Sequence, residues 1–287
     1  MEQKILINAF ADEASSIIDN QIIAMKRNNL NGLEIRNADG ISCVALNAAE
    51  AKEIRRKLDD NGLQVWSMGS PIGKITLEDD FEKHLDVLRN GLEVANILGA
   101  KNLRMFSFFM PKDQDPTPFK NEVHDKVGRM LDVAEGSGVL MCHENEKGIY
   151  GDMANRCLEL LQAFPQMGGI FDPANFVQCG QDTWEAWQML KPYIKYMHIK
   201  DALADSKVVP AGHGLGNLHK IVPEYLAQGG YAFTLEPHLT VFDGLGSLER
   251  EGQTSDVGSE YVYSNNDAAF DVACKAFQKL LEDVKAC

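Results

Sequence analysis

The chain has 287 residues, of which 45% are hydrophobic and 24% charged, which is typical of a globular protein with enough apolar material for one large core. Its net charge of −14, from 28 basic and 42 acidic residues, opposes a nucleic-acid partner, because phosphate backbones are bound by lysine and arginine. No apolar run reaches the length of about eighteen residues that crosses a bilayer, and the first residues lack a secretory signal pattern, so we expect a cytoplasmic protein without a membrane partner.

Short apolar runs alternate with amphipathic segments along the chain. The runs predict eight strands, at residues 4–10, 31–37, 63–70 and 101–109, and within 138–152, 168–176, 193–201 and 231–239. The amphipathic segments predict helices that start near 15, run from 47 to 62 and from about 78 to 100, end near 137, and cover 152–163, 182–191, 217–228 and 267–286.

Eight strands alternating with eight helices, without a change of composition that marks a linker, predict a single (β/α)8 TIM barrel over residues 1–287. The segment 240–266 after the last strand is rich in glycine, serine and acidic residues and is long for a loop. It is expected to be a lid or an oligomer contact, with plain surface decoration as the alternative. The six cysteines form no CxxC pair, which predicts reduced thiols.

Four consecutive apolar runs in the second half of the chain end in polar residues, namely Glu144, Asp172, His198 and Glu236. Their spacing is about one strand-plus-helix unit. Since the active site of such a barrel lies at the carboxyl ends of its strands, we expect these four side chains to meet at one rim.

Three carboxylates and one imidazole form an oxygen-rich ligand set for one divalent cation. This set favours manganese, magnesium or cobalt, with zinc as an alternative. The cation would polarise a substrate carbonyl and stabilise an enediolate. Glu144 and Glu236 come from well-separated strands and are the natural pair to remove and return the proton. Glu146, two residues further on, is the alternative ligand if the strand register differs.

Other residues are candidates for substrate contacts. Lys200 and His238 each lie two residues past a predicted ligand and therefore on the same side of the strand, where they could hold a hydroxyl or a carboxylate. Trp66 and Phe108, at the predicted ends of strands 3 and 4, are candidates for the apolar wall of a sugar pocket, with core packing as the alternative.

The segments HENEKGIYGD, FDPANF, YMHIKDA and TLEPH, in this order and spacing, resemble the xylose isomerase-like TIM barrels, the sugar phosphate isomerase/epimerase family. The resemblance covers essentially the whole chain. It implies a single divalent metal held by Glu144, Asp172, His198 and Glu236, with proton transfer by the two glutamates. It also implies a homo-oligomer, a dimer or tetramer.

Two positions depart from the family pattern. Ketose 3-epimerases and endonuclease IV carry a histidine three residues after the aspartate ligand, where this chain has Asn175. We therefore place Asn175 at a substrate-binding position, and its identity counts against a three-zinc nuclease site. Members often carry a glycine-rich turn with an acidic residue after the histidine strand, and here that turn reads VVPAGHGLGN and contains His213. His213 is a candidate substrate group, with a histidine in a surface turn as the alternative.

The leading hypothesis is a metal-dependent isomerase or epimerase acting on a small sugar, sugar acid or polyol. An unphosphorylated substrate is slightly favoured, because no basic cluster follows strands 7 and 8. The same ligands would serve a dehydratase or lyase acting on a keto-sugar or inosose, since an enediolate can expel a leaving group. An endonuclease IV-like nuclease and a non-catalytic sugar-binding barrel are the remaining alternatives.

Overall fold

The computed structural model describes residues 4–243, 245 and 261–286. Eight parallel strands form a closed barrel, and the predicted (β/α)8 fold is confirmed. The strands are β1 Leu6–Ala9, β2 Gly32–Ile35, β3 Gln64–Met68, β4 Asn102–Met105, β5 Leu140–Glu144, β6 Gly168–Phe171, β7 Ile194–Ile199 and β8 Ala232–Leu235. Each strand pairs with its neighbours in chain order, and β8 closes on β1, where Thr234 lies opposite Asn8.

Helices follow the strands and surround the barrel. They are α1 Ile18–Arg27, α2 Ala48–Asp60, α3 Phe81–Leu98, α4 Lys120–Ala134, α5 Ala154–Ala163, α6 Pro173–Gln178, α7 Thr183–Leu190, α8 Leu218–Ala227 and α9 Asn266–Ala286. Asn47 caps α2 in a reciprocal pair with Glu50. The short helix α6 was not predicted. Within the described part of the chain, no helix is both long and apolar enough to cross a membrane.

The core has two parts because side chains alternate between the two faces of each barrel strand. The larger part lies between the barrel and its helices. A smaller apolar cluster fills the amino-terminal end of the barrel interior, and we call it the lower plug. Its members are Leu6, Trp66, Leu140, Cys142, Ile170, Tyr196, Tyr231 and Ala232.

The predicted long loop at 240–266 falls mostly on residues that the structure does not describe. Residues 240–243, 245 and 261–266 are described, and the remainder lies outside. The lid or oligomer-contact role therefore stays a prediction.

Candidate active site

The four predicted ligands meet at the carboxyl end of the barrel, and we call them the ligand cluster. One potential ligand atom from each of Glu144, Asp172, His198 and Glu236 lies within 4.8 Å of the others, and all four residues are buried. Glu144 is the last residue of β5 and His198 lies within β7, whereas Asp172 and Glu236 directly follow β6 and β8. The parallel strands thus bring together residues that are up to 92 positions apart, from 144 to 236.

Asp172 has one oxygen engaged and one aimed into the cluster. Its Oδ1 accepts a hydrogen bond from the Asn175 backbone amide at 3.0 Å and so caps α6. Its Oδ2 accepts no hydrogen bond from the described residues, although Lys200 Nζ lies 2.9 Å away. Burial raises the pKa of Asp172 to about 7, with Glu236 and Glu144 adding to the shift and Lys200 opposing it. A buried oxygen of this kind suits a cation ligand.

His198 is held between two carboxylates. Its Nδ1 lies 2.9 Å from Glu144 Oε1 and its Nε2 lies 3.0 Å from Glu34 Oε2. Burial alone would lower the pKa of His198, but the carboxylates of Glu144 and Glu34 outweigh burial and hold the pKa well above its ordinary value. A cation that binds at Nδ1 must therefore displace a proton.

Two basic side chains contact the carboxylates of the ligand cluster. Arg104 Nη1 lies 3.1 Å from Glu144 Oε2 and 3.7 Å from Glu236 Oε1. Lys200 Nζ lies 2.9 Å from both Asp172 Oδ2 and Glu236 Oε2, so the structure brings this predicted substrate residue to the cluster. These cations reduce the repulsion that the crowded carboxylates would otherwise experience.

Arg36 is a third buried cation, and it is held rigidly. Its Nε and Nη2 donate to the two carboxylate oxygens of Asp12 at 2.8 and 3.1 Å. The rings of Phe10 and Phe242 lie 4.5 and 4.7 Å from its guanidinium carbon. Its Nη1 lies 3.5 Å from Glu236 Oε1 and has no hydrogen-bond partner among the described residues. The site therefore contains a fixed donor that a substrate oxygen could use.

A second group of possible cation ligands shares Glu236 with the cluster. It consists of Glu13, Glu236 and His238, again within 4.8 Å of one another. Arg36 already occupies this group, because its Nη2 donates to Glu13 Oε1 at 3.3 Å. Burial lowers the pKa of His238 well below its ordinary value, so this histidine is neutral beside Glu236, with Nδ1 3.9 Å from Oε1. We regard His238 as a polar neighbour of the ligand cluster.

Asn175 and Glu146 have separate positions. Asn175 Nδ2 donates to the Asn145 backbone oxygen at 2.8 Å and lies 3.4 Å from Glu144 Oε1, so its side chain is at the ligand cluster. Glu146 instead pairs with Lys74, with 3.0 Å between Oε2 and Nζ, and it does not belong to the ligand cluster. The structure therefore favours Glu144 over Glu146 as the ligand.

His213 lies on the surface, and the glycines around it donate backbone hydrogen bonds to a carboxylate outside the ligand cluster. The backbone amides of Gly212, Gly214 and Gly216 donate to Asp201 at 3.0, 3.0 and 2.8 Å. A Cβ at Gly214 would lie 2.3 Å from Asp201 Oδ1, which explains the need for glycine. His213 is exposed in this turn, whereas the ligand cluster is buried. The structure supports the surface-turn alternative for His213.

The prediction that Trp66 and Phe108 form the wall of the pocket is wrong. Trp66 is the middle residue of β3 and belongs to the lower plug, where its ring centroid is 6.1 Å from that of Tyr196 and 5.8 Å from that of Tyr231. Phe108 lies beyond the end of β4 with a left-handed backbone (φ 66°). Its ring packs on Phe81 of α3 at 5.9 Å, outside the barrel. The aromatic core-packing alternative holds for both.

Sequence reasoning missed several residues around the ligand cluster, which are Phe10, Glu13, Glu34, Arg36 and Arg104. A usable signal was present in the sequence, because Glu34 and Arg104 place a charge inside short predicted strands, and the structure buries every residue of both strands. A charge within a buried parallel strand is costly unless it has a partner inside the barrel. Such residues are therefore candidates for the floor of a site.

The matching protein family and the similar solved structures agree with the barrel fold of this chain. The family model described as xylose isomerase-like TIM barrel matches residues 24–250. A comparison with curated proteins finds no significant match.

Among solved structures, this chain is similar to the probable 3-DHS dehydratase AsbF of Bacillus anthracis, with 17% identity, a TM-score of 0.73, and 96% of this chain and 99% of that chain covered. It is similar to an L-ribulose 3-epimerase, with 15% identity, a TM-score of 0.74, and 99% and 96% covered. It is also similar to a xylose isomerase-like TIM barrel protein of Mycobacterium smegmatis in complex with magnesium, with 15% identity, a TM-score of 0.68, and 98% and 97% covered. At these identities, the similarity to the three structures concerns the fold alone.

Proposed function

Since this chain belongs to the xylose isomerase-like TIM barrel family, we propose that it is a divalent-metal-dependent isomerase or epimerase of a small sugar, sugar acid or polyol. The observation that carries this proposal is the buried convergence of Glu144, Asp172, His198 and Glu236 within 4.8 Å. These side chains would hold one cation, with manganese, magnesium or cobalt favoured and zinc an alternative. When bound, the cation would supply Lewis acidity at a substrate carbonyl.

In this proposal, Glu144 and Glu236 would move the proton. They come from β5 and from the end of β8, and they approach His198 Nδ1 from two directions, at 2.9 and 3.5 Å. Burial opposes the ionisation of Glu236, but Lys200 and the protonated His198 outweigh burial and hold its pKa well below the usual value. Glu236 is therefore ionised, which is the form that accepts a proton. One glutamate would remove the proton from the carbon beside the carbonyl, and the other would return a proton.

Polar donors beside the ligand cluster would bind the remaining oxygens of the substrate. Arg36 Nη1 lacks a hydrogen-bond partner among the described residues, and Lys200 Nζ lies between two carboxylates. Asn175 and His238 complete the set of nearby polar groups. Donors of this number and variety suit a polyhydroxylated compound. The cytoplasmic location and the homo-oligomeric state remain predictions.

A dehydratase or lyase is the second candidate, because Lys200 could protonate a leaving hydroxyl. Burial opposes the charge of Lys200, but Asp172 and Glu236 outweigh burial and hold its pKa well above the ordinary value, so the amine is protonated. The nuclease alternative is opposed by the net charge of −14.

The test is solvent exchange followed by NMR. The Mn²⁺- or Mg²⁺-loaded protein is incubated in deuterated water with a panel of ketoses, inososes and keto-glycosides, and the metal is removed before spectra are recorded. Deuterium beside the carbonyl of one compound supports the isomerase or epimerase, whereas a product that has lost water supports the dehydratase. Binding without exchange would leave a sugar-binding barrel, and cleavage of an abasic DNA duplex would indicate a nuclease.

A further inference from the structure

Glu34 lies directly below the ligand cluster, and the proposed function assigns it no role. It belongs to β2 and is completely buried. Its Oε2 lies 3.0 Å from His198 Nε2. Its Oε1 accepts hydrogen bonds from the Tyr196 hydroxyl at 2.8 Å and the Ser67 hydroxyl at 3.2 Å. Both oxygens of this carboxylate are thus held in place, one by the imidazole and the other by two hydroxyls.

The two ring nitrogens of His198 have different neighbours. Nδ1 faces Glu144 and Glu236, at 2.9 and 3.5 Å, and is the nitrogen on the cluster side. Nε2 faces Glu34 on the floor. A neutral imidazole carries its proton on one nitrogen only, and the hydrogen bond at one nitrogen determines which nitrogen is free to bind a cation. A carboxylate can only accept, so Glu34 requires a proton on Nε2.

Stability alone gives no reason for a carboxylate at this position. A buried ion costs free energy of desolvation, and hydroxyl groups or an apolar side chain could fill the same volume. The hydroxyls of Tyr196 and Ser67 do not need a charged partner to pack in the barrel wall. Both nevertheless donate hydrogen bonds to Oε1 of Glu34, the oxygen that does not contact His198. The geometry is that of a support for the imidazole.

We propose that Glu34 is a positioning residue that keeps the His198 proton on Nε2 and the Nδ1 lone pair directed at the cation. Tyr196 and Ser67 orient Glu34 for this purpose. The inference rests on the proposed function, because it requires that the ligand cluster binds a divalent cation. It goes further by assigning a residue that is neither a ligand nor an acid–base group.

The test uses Glu34→Gln, which keeps the shape and removes the charge, with Glu146→Gln as the matched control. Glu146 is another largely buried carboxylate at the same end of the barrel, but it pairs with Lys74. We expect Glu34→Gln to weaken Mn²⁺ binding about 10–100-fold in titration calorimetry, and Glu146→Gln to bind like the wild type. In ¹⁵N-histidine NMR of the Mg²⁺-loaded protein, the Nε2 proton signature of His198 should be lost or mixed in Glu34→Gln alone.

A second variant covers the case in which Glu34→Gln does not fold. Tyr196→Phe removes one hydrogen bond from the far oxygen of Glu34 and should weaken Mn²⁺ binding by less than about tenfold, in the same direction. Equal Mn²⁺ binding by the wild type, Glu34→Gln and Tyr196→Phe would overturn the inference and leave the proposed function intact. A wild-type protein that binds no Mn²⁺ would overturn both.

Discussion

The two ends of the barrel interior use the same eight strands but opposite kinds of side chain. The lower plug at the amino-terminal end is built mainly from aliphatic and aromatic residues such as Trp66, Ile170 and Tyr196. The carboxyl end holds the ligand cluster together with buried arginine and lysine side chains. Tyr196 joins the two regions, because its ring packs in the lower plug and its hydroxyl reaches Glu34.

The difference separates residues that stabilise the fold from residues that serve a ligand. Burial of apolar side chains in the lower plug follows directly from the hydrophobic effect. The carboxyl end cannot be explained in this way, because bringing several ions together in a buried space costs desolvation free energy. Charges retained at such a cost are expected where a cation and a substrate bind. Variants at the two ends should therefore have different consequences.

The largest effect is expected at the proposed proton-transfer residues. Glu144→Gln and Glu236→Gln should each reduce solvent exchange about 10²–10⁴-fold, because the amide cannot accept the proton. They should also weaken Mn²⁺ binding, since each residue is a proposed ligand. NMR exchange rates and titration calorimetry provide the two measurements. Unchanged exchange in either variant would show that this glutamate is not the acid–base group.

In the lower plug, we expect a substitution to reduce stability and to leave metal binding almost unchanged. Trp66→Ala should lower the free energy of unfolding by about 2–3 kcal/mol, below the range for fully buried aromatic residues because Trp66 is half-buried. Its affinity for Mn²⁺ should remain within about twofold of the wild-type value. Urea unfolding of the metal-free protein and calorimetry test these two statements. A large loss of affinity at unchanged stability would mean that the two ends are not independent.

Binding of Mn²⁺ should depend on pH through Asp172 and His198. In the metal-free protein, the pKa of His198 is held well above its ordinary value, so His198 is protonated at neutral pH, and the pKa of Asp172 is raised to about 7, so Asp172 gains a proton as the pH falls below 7. Cation binding must release these protons, and affinity should fall about tenfold or more for each pH unit below 7. Calorimetry in buffers of different ionisation enthalpy measures the proton release. Affinity that is independent of pH between 5 and 7 would argue against these two ligands.

Lys200 should affect metal binding and turnover in opposite directions. Its amine lies 2.9 Å from carboxylate oxygens of two proposed ligands and competes with a cation for them. We expect Lys200→Gln to bind Mn²⁺ about tenfold more tightly, because a nearby positive charge is removed. Solvent exchange should nevertheless become slower, because a substrate donor is lost. Weaker Mn²⁺ binding in this variant would mean that Lys200 supports the ligand cluster.

The barrel and its four proposed ligands could be predicted from the sequence because both depend on a local pattern. An apolar run that ends in Glu144 or Glu236 identifies a strand and its end together. The position of Trp66 could not be predicted in the same way, because it depends on where β3 begins within a longer apolar run. A shift in the pairing of β2 with β3, between Leu33 and Glu34, adds to this difficulty.

The supporting charges also could not be predicted, because their roles depend on partners that are distant in the sequence. Glu34 meets His198 across 164 positions, and Arg104 meets Glu144 across 40. No spacing rule within one strand identifies such pairs. Pairing between inward-facing residues appears only when the barrel is closed.

The central claim is that the ligand cluster binds one divalent cation, and the most direct measurement is anomalous diffraction from crystals soaked in Mn²⁺. We expect a single manganese peak about 2.0–2.4 Å from atoms of Glu144, Asp172, His198 and Glu236. A peak located instead among Glu13, Glu236 and His238, or the absence of a peak at saturating Mn²⁺, would contradict the account.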